Sequence, residues 1–226
     1  MIQIFSSYAN DIITYQDNKV ILGGPALWIE QTFNDLVIDH TLHTGSASGI
    51  VRIEKDGNNE DRGFIVSTSG IPFSRVGTGD VILVSTLKQE FDLMNLGNCE
   101  NDIFIDIQGF LRGDTGKKNM FDCRILRSKG HIYIKATREE YSYLLNTPQS
   151  HLTFIVTDGG NSIEIITKDG SEMIPIMSGN FTDTIGAGDI FLASFVYYFS
   201  QIHNLKKSVF NASDYVFSFL KKKNTL

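Results

Sequence analysis

Apolar residues along this chain gather in short runs, each closed by turn residues or followed by an amphipathic stretch. "IQIF" near the start, "VILVST" at 81–86, "IFIDI" at 103–107, "HIYIK" at 131–135 and "LTFIVT" at 152–157 are rich in β-branched residues and flanked by Gly, Asn or Asp. Short runs of that composition predict buried strands rather than helices. Between them, "PALWIEQTFNDL" (25–36), "KQEFDLMNLG" (88–97) and "TREEYSYLLN" (137–146) predict helices. Strands alternating with helices imply an α/β fold built on a mostly parallel sheet with helices on both faces.

Two regions read differently. Over 38–68, "VIDHTLHT", "GIVRIEKDG" and "RGFIVSTSG" alternate and are broken by "GSASG" and "DGNNEDRG", which predicts hairpins. A second hairpin is predicted at "NSIEIITKDGSEMIPI" (161–176), with Asp169-Gly170 as its two-residue turn. After residue 189 the chain turns helical, first "IFLASFVYYFSQI" and then "SDYVFSFLKKK". With no repeat, low-complexity tract or linker, residues 1–226 read as one α/β domain carrying a small β insertion at about 38–68.

Composition narrows the function. A length of 226 residues, 42% hydrophobic and 20% charged, suits a soluble globular domain. The net charge of −6 argues against nucleic-acid binding, which needs a concentrated basic face. The dense basic run, Lys221-Lys222-Lys223, reads as a solvated helix end favoured by the helix dipole. No segment reaches the roughly 20 apolar residues that cross a bilayer, and the N-terminus has no secretory pattern, so no membrane is expected and the cytoplasm is the economical location. Cys99 and Cys123 are isolated, which predicts neither a disulfide framework nor a zinc knuckle. His40 and His43 fall in an alternating segment, where positions i and i+3 face opposite ways, so they do not predict a metal pair. "GTGD" (77–80) precedes a strand and reads as a turn. HExxH, GxxxxGK[ST] and GxSxG are absent.

The stretch with chemical content is "NFTDTIGAGDIFLASFVYYF", Asn180 to Phe199. Thr182, Asp183 or Thr184 can cap a helix whose first turn contains the glycines. Amides of a first turn lack intrahelical partners, and the dipole adds positive charge there. Gly186 and Gly188 remove Cβ atoms, so an anion can approach the backbone. Asp189 follows about one turn in, and the helix N-terminus favours its ionised form. An anion cradle beside a carboxylate suits phosphoryl transfer to a hydroxyl.

"DTIGAGD", Asp183 to Asp189, resembles the D-T-x-G-A-G-D signature of the ribokinase-like (PfkB) carbohydrate kinases. The resemblance implies a three-layer α/β/α sandwich with a mostly parallel central sheet and a small, here reduced, β lid. It further implies that Gly186, Ala187 and Gly188 form the anion hole and that Asp189 is the general base. In "ANDII", Asp11 matches the acidic substrate position, and Gly23-Gly24 matches the glycine pair that opens the first helix and would touch the substrate. The family often places an asparagine shortly after that pair; Leu27 and Trp28 stand here, and Trp28 reads as core or pocket wall, with core the better reading. "DIQGFLR" (106–112) is similar to a D-x-Q-G-x-x-R segment, in which Arg112 would bind substrate. "KATREE" (135–140) is similar to K-x-N-x-x-E, with Thr137 in place of asparagine and Glu140 holding Mg²⁺ through water. "TDGG" (157–160) resembles the nucleotide loop T-x-G-x-x-G, with Ser162 at its last position. Thr157, Gly159, Gly160, Thr184, Gly186 and Gly188 would bind nucleotide, and the adenine would lie near Asn211 to Phe217.

The implied activity is ATP-dependent, Mg²⁺-assisted phosphorylation of a small sugar, polyol or nucleoside. A non-sugar hydroxymethyl acceptor and a non-catalytic, ligand-binding descendant of the fold are the alternatives, the latter encouraged by Leu27, Trp28, Thr137 and a short tail. Pairing of lid strands in a homodimer is a further expectation.

Overall fold

A computed structural model describes residues 1–55, 61–74, 76–113, 117–147 and 149–225. In chain order the elements are β1 (Ile2–Ser6), β2 (Ala9–Ile13), β3 (Lys19–Gly23), α1 (Pro25–Asp35), β4 (His40–His43), β5 (Gly49–Lys55), β6 (Asp61–Ser67), β7 (Val81–Ser85) and β8 (Ile103–Asp106). They continue as α2 (Gln108–Leu111), β9 (Phe121–Asp122), β10 (Ile132–Thr137), α3 (Arg138–Tyr141), β11 (Leu144–Leu145), β12 (Leu152–Thr157), β13 (Ser162–Thr167), β14 (Gly170–Pro175), α4 (Ala187–Ile202) and α5 (Leu205–Lys223).

The five apolar runs form β1, β7, β8, β10 and β12, the interior of an eight-stranded sheet ordered β14-β13-β12-β10-β8-β7-β1-β4. Pairings from β4 to β12 are parallel, and the β13–β14 hairpin closes one edge antiparallel. Because side chains alternate, each central strand feeds two cores. Ile103 and Ile105 of β8 face one way with Ile132 and Ile134 of β10, while Phe104 points to the other side with Ile155. On that second side lie the long helices: α1 contributes Ile29 and Phe33, α4 contributes Phe191, Phe195 and Phe199, and α5 contributes Val209 and Ala212. Phe104 stacks on Tyr133 and meets Phe195 and Phe199 edge-on.

The opposite face carries a thinner layer of short helical turns and loops, and here two predicted helices are corrected. Residues 88–97 form only a 3-10 turn, Leu93–Leu96: Gln89 at φ 48° interrupts helical backbone ahead of it, and the Asp92 carboxylate, accepting the Met94 N–H at 2.9 Å, caps the turn only from Leu93 onward. In 137–146 the capping box of Thr137 and Glu140 starts α3, but it lasts one turn before Leu144–Leu145 pairs in parallel with Phe121–Asp122. The β13–β14 turn is also displaced by one residue. Thr167 pairs with Gly170, so Lys168-Asp169 occupies the tip.

A second sheet, β3-β2-β5-β6, lies outside this sandwich. It corrects the expected β insertion at 38–68, which supplies only two of its strands. The others come from the 9–23 hairpin, turned by Asp17 and Asn18 at φ 53° and 56°, while His40–His43 is drawn into the main sheet beside β1. The predicted turn in "DGNNEDRG" falls partly on 56–60, outside the described residues. His40 meets Phe33 and His43 stacks on Phe5, on opposite faces of the sheet as the alternation requires.

Phe104→Ala should destabilise the chain by about 3–5 kcal/mol, because it removes a fully buried ring from the sheet–helix contact. Urea unfolding measures it; a loss below about 1 kcal/mol would contradict this packing.

Candidate active site

Parallel pairing brings the C-terminal ends of β7, β8, β10 and β12 to one edge of the sheet, and α4 begins there. Gly186 is the N-cap of α4 in the left-handed conformation, φ 85°, a role the sequence assigns to Thr182, Asp183 or Thr184. A side chain at 186 would be strained by that φ and would also place its Cβ 2.4 Å from the Trp28 ring. Asp183 instead accepts the Ile185 N–H at 3.1 Å, and the Ala187 N–H donates to the Thr184 carbonyl at 3.0 Å. The amide of Ala187 is thus already used within the turn.

Two cavities flank this turn. The smaller, about 300 Å³, lies between the sheet edge and the small sheet, and Asp11, Gly24, Trp28, Ser85, Arg112, Gly186 and Asp189 are among its lining residues. Trp28 is therefore cavity wall, which corrects the preference for core. The inner face of the small sheet adds Val51, Ile53 and Gly63. Gly24, at φ 86°, lets the chain pass within contact of the Ser7 carbonyl and the Ala9 amide as it enters α1. Gly23 does not line the cavity; a Cβ there would lie 2.0 Å from Asp11 Oδ2, so its absence leaves room for that carboxylate. Burial raises the pKa of Asp11, and the nearby Arg112 guanidinium counters part of the rise. Arg112 is held by a 2.9 Å hydrogen bond to the Leu87 carbonyl.

The larger cavity, about 530 Å³, lies on the other side of the turn. Thr157, Gly159, Gly160, Thr184, Ala187 and Gly188 line it, together with apolar Ile163, Ile176, Phe191, Val216, Phe217 and Leu220. Asn211 is not among these residues. Helix α5 turns Ser213, Val216, Phe217 and Leu220 toward the cavity at helical spacing, and 211 falls off that stripe.

Between the cavities lies a charge cluster whose two principal members, Asp106 and Lys135, open two quoted motifs that the sequence reading did not bring together. Lys135, buried in β10, donates to Asp106 Oδ2 at 2.8 Å. Asp106 Oδ1 accepts the Gln108 N–H at 3.0 Å. A Cβ on Gly188 would sit 2.8 Å from the Lys135 ammonium, so the glycine leaves that cation close beneath the start of α4. Ser85 donates to Asp189 Oδ1 at 3.1 Å. The available signal was a lysine inside the apolar strand "IYIKAT", since a buried charge requires a partner.

Asp189 is open to solvent only in part and faces the smaller cavity. Burial and the adjacent Asp106 carboxylate push its pKa up to about 6, against the pull of Lys135, Ser85 and Arg112. The expectation that the helix N-terminus dominates is corrected here: desolvation prevails. For Lys135, burial favours the neutral amine, but Asp106, Glu140 and Asp189 outweigh it and its pKa is raised. Glu140 is buried, and one of its oxygens accepts the Thr137 N–H at 2.8 Å. Among the described residues, no group of three His, Cys, Asp or Glu could hold a metal ion. No helix among them is long and apolar enough to cross a membrane.

A family model described as "pfkB family carbohydrate kinase" matches residues 117–215. No curated protein sequence matches the chain. Among solved structures, a Thermoplasma acidophilum protein provisionally named ribokinase superposes with a TM-score of 0.72 at 14% identity, covering 100% of this chain and 94% of that one. An uncharacterised sugar kinase from Pyrococcus horikoshii in complex with ATP gives 0.67 at 16% identity, over 94% and 91% of the two chains. Burkholderia thailandensis nucleoside kinase in complex with inosine gives 0.67 at 16%, over 94% and 87%.

A carboxyl whose folded pKa lies above its unfolded value near 3.8 favours the folded state at low pH, and that contribution is lost as pH rises through about 6. Asp189→Asn should therefore raise the thermal midpoint at pH 8 by roughly 2–4 °C and by less at pH 5. Calorimetry at both values checks this, and a lower midpoint at pH 8 would contradict it. The chain has the ribokinase-like fold, and the match to the pfkB carbohydrate kinases runs through its C-terminal half, including the DTIGAGD turn.

Proposed function

We propose that this chain is an ATP-dependent kinase that phosphorylates a hydroxyl of a small sugar, polyol or nucleoside. The observation that carries the reading is the placement of Asp189 and the Gly186 turn between two cavities of different character. The larger has apolar walls suited to a flat base and a glycine turn, Gly159-Gly160, suited to phosphates. The smaller is polar, of monosaccharide size, and offers Asp11 to accept hydroxyl protons and Arg112 to donate to oxygen.

In this reading the acceptor lies in the smaller cavity with one hydroxyl on Asp189. Its oxygen bonds to the terminal phosphorus of the donor as the bond to the departing ADP breaks, and the hydroxyl proton passes to Asp189. A base with a pKa near 6 is mostly ionised at neutral pH yet still able to take a proton. Amides at the start of α4 stabilise the transferring group, with those of Gly186 and Gly188 more important than that of Ala187, which is engaged with Thr184. Lys135 lies under the same turn and adds positive charge. Mg²⁺ would arrive with the donor phosphates and neutralise their charge; Glu140, buried and lining neither cavity, would reach it only through water, and the described residues form no metal cluster of their own. A pyrophosphate-dependent kinase in the ribokinase family has a similar fold, and supplying ATP or pyrophosphate in the same assay distinguishes the two donors.

The small sheet also supports a homodimer. Its register sets Asp11 and Val51 on the cavity side and Val20, Ile12, Arg52 and Phe64 on the outer side. Val20, Leu22, Phe64 and Val66 are exposed there, and a second copy would cover them.

Asp189→Ala should lower kcat by about 10²–10⁴ while ATP still binds; undiminished turnover in a coupled ADP-release assay would remove Asp189 from this role. In the wild type, kcat should fall as pH drops through about 6, tenfold per unit below it, because the base becomes protonated. Light scattering should give twice the chain mass, and Phe64→Glu should return it to one.

A further inference from the structure

The sequence predicts that Lys221-Lys222-Lys223 is a solvated helix end. Lys221 and Lys222 are exposed, but Lys223 turns inward. Its Nζ donates to Asp183 Oδ1 at 2.8 Å and to the Ile185 carbonyl at 3.1 Å, and it stands 4.9 Å from the centre of the Trp28 ring. The next residue, Asn224, is used as fully. Its Oδ1 accepts from the Thr182 N–H, the Thr182 hydroxyl and the Asp183 N–H, each at 2.9 Å. Its Nδ2 donates to the Asp183 carbonyl at 3.0 Å and the Leu220 carbonyl at 2.9 Å. Two adjacent side chains at the end of α5 thus hold the backbone from Thr182 to Ile185, the segment that leads into the Gly186 turn.

We propose that Lys223 and Asn224 are positioning residues, a latch from the C-terminal helix that fixes the DTIGAGD turn and, through Trp28, ties it to the wall of the acceptor cavity. Neither residue lines either cavity, so any effect on chemistry passes through the turn. The tie to the acceptor side is direct: the Trp28 ring lies against Gly186, under the Lys223 ammonium and edge-on to Phe219 at 6.3 Å. A cation on an aromatic face and two charge-assisted hydrogen bonds hold the turn where side-chain caps do not, since the N-cap of α4 is a glycine. Displacing amides by even 1 Å from a reacting phosphoryl group costs on the order of 10² in rate.

The kinetic consequence rests on the kinase reading; the latch itself does not. Trp28 is the only tryptophan in the chain, so its fluorescence reports the latch without any substrate. Lys223→Met should increase acrylamide quenching of Trp28 about twofold, Lys223→Arg should restore most of the protection, and the exposed control Lys222→Met should match wild type. In turnover, Lys223→Met and Asn224→Ala should each lower kcat about tenfold or more, with KM for ATP changed less than about threefold and a thermal midpoint close to that of the control. Quenching and kcat of both variants equal to those of Lys222→Met would overturn the latch. If the wild type phosphorylates no acceptor, the kinase reading fails and the quenching series alone decides the latch, for or against.

Discussion

Parallel pairing from β4 through β12 is the constraint on which the rest of this molecule depends. Strands that all run one way must be joined by crossovers, and every C-terminal end then lies on the same edge. That edge collects Ser85, Asp106, Lys135 and Thr157 from four strands that are separated in sequence by up to 72 residues. No single local segment could assemble that set. The small sheet and the start of α4 close over the edge from two directions and divide it into the two cavities.

The edge is also where the fold tolerates charge. Lys135 and Asp106 are almost completely buried, and each is compensated: the ammonium by two or more carboxylates, Asp106 by Lys135 and by the amide opening α2. Asp189 sits beside this pair, and its pKa is raised first by burial and then by the Asp106 carboxylate, against the pull of Lys135, Ser85 and Arg112. Gly188 belongs to the same arrangement, because any larger residue would press on the ammonium. A carboxylate suited to accept a proton near neutral pH thus arises from burial at this edge, reinforced by a neighbouring carboxylate whose cation is shared.

Much of the fold was legible because the central strands are buried on both faces and read as uninterrupted β-branched runs. The two helices that failed, at 88–97 and 137–146, fail for different reasons, one local and one tertiary. Gln89 adopts positive φ ahead of the first, and in the second the chain leaves the helix after Tyr141 because Leu144–Leu145 pairs with Phe121–Asp122. The small sheet was placed too late because the 9–23 hairpin resembles a strand running on toward α1. In the candidate site, the glycines and Asp189 stood out because a glycine turn opening a helix beside a carboxylate can cradle an anion, and because the whole string DTIGAGD resembles a family signature. Lys135, Asp106, Ser85 and the end of α5 did not, because each acts through a partner more than 20 residues away.

What the sequence determined by itself is the strand and helix periodicity, the α/β class and the DTIGAGD turn, all of which are encoded within windows of a few residues. Tertiary structure alone decided which side of that turn each residue serves. Trp28 became cavity wall and Gly23 a space for Asp11, while Asn211 left the nucleotide side through the phase of α5. It also turned Lys223 from a solvated charge into a tie on the turn. The physical reason is the same in each case: burial, charge pairing and contact depend on distances between segments that the chain brings together only when the sheet forms.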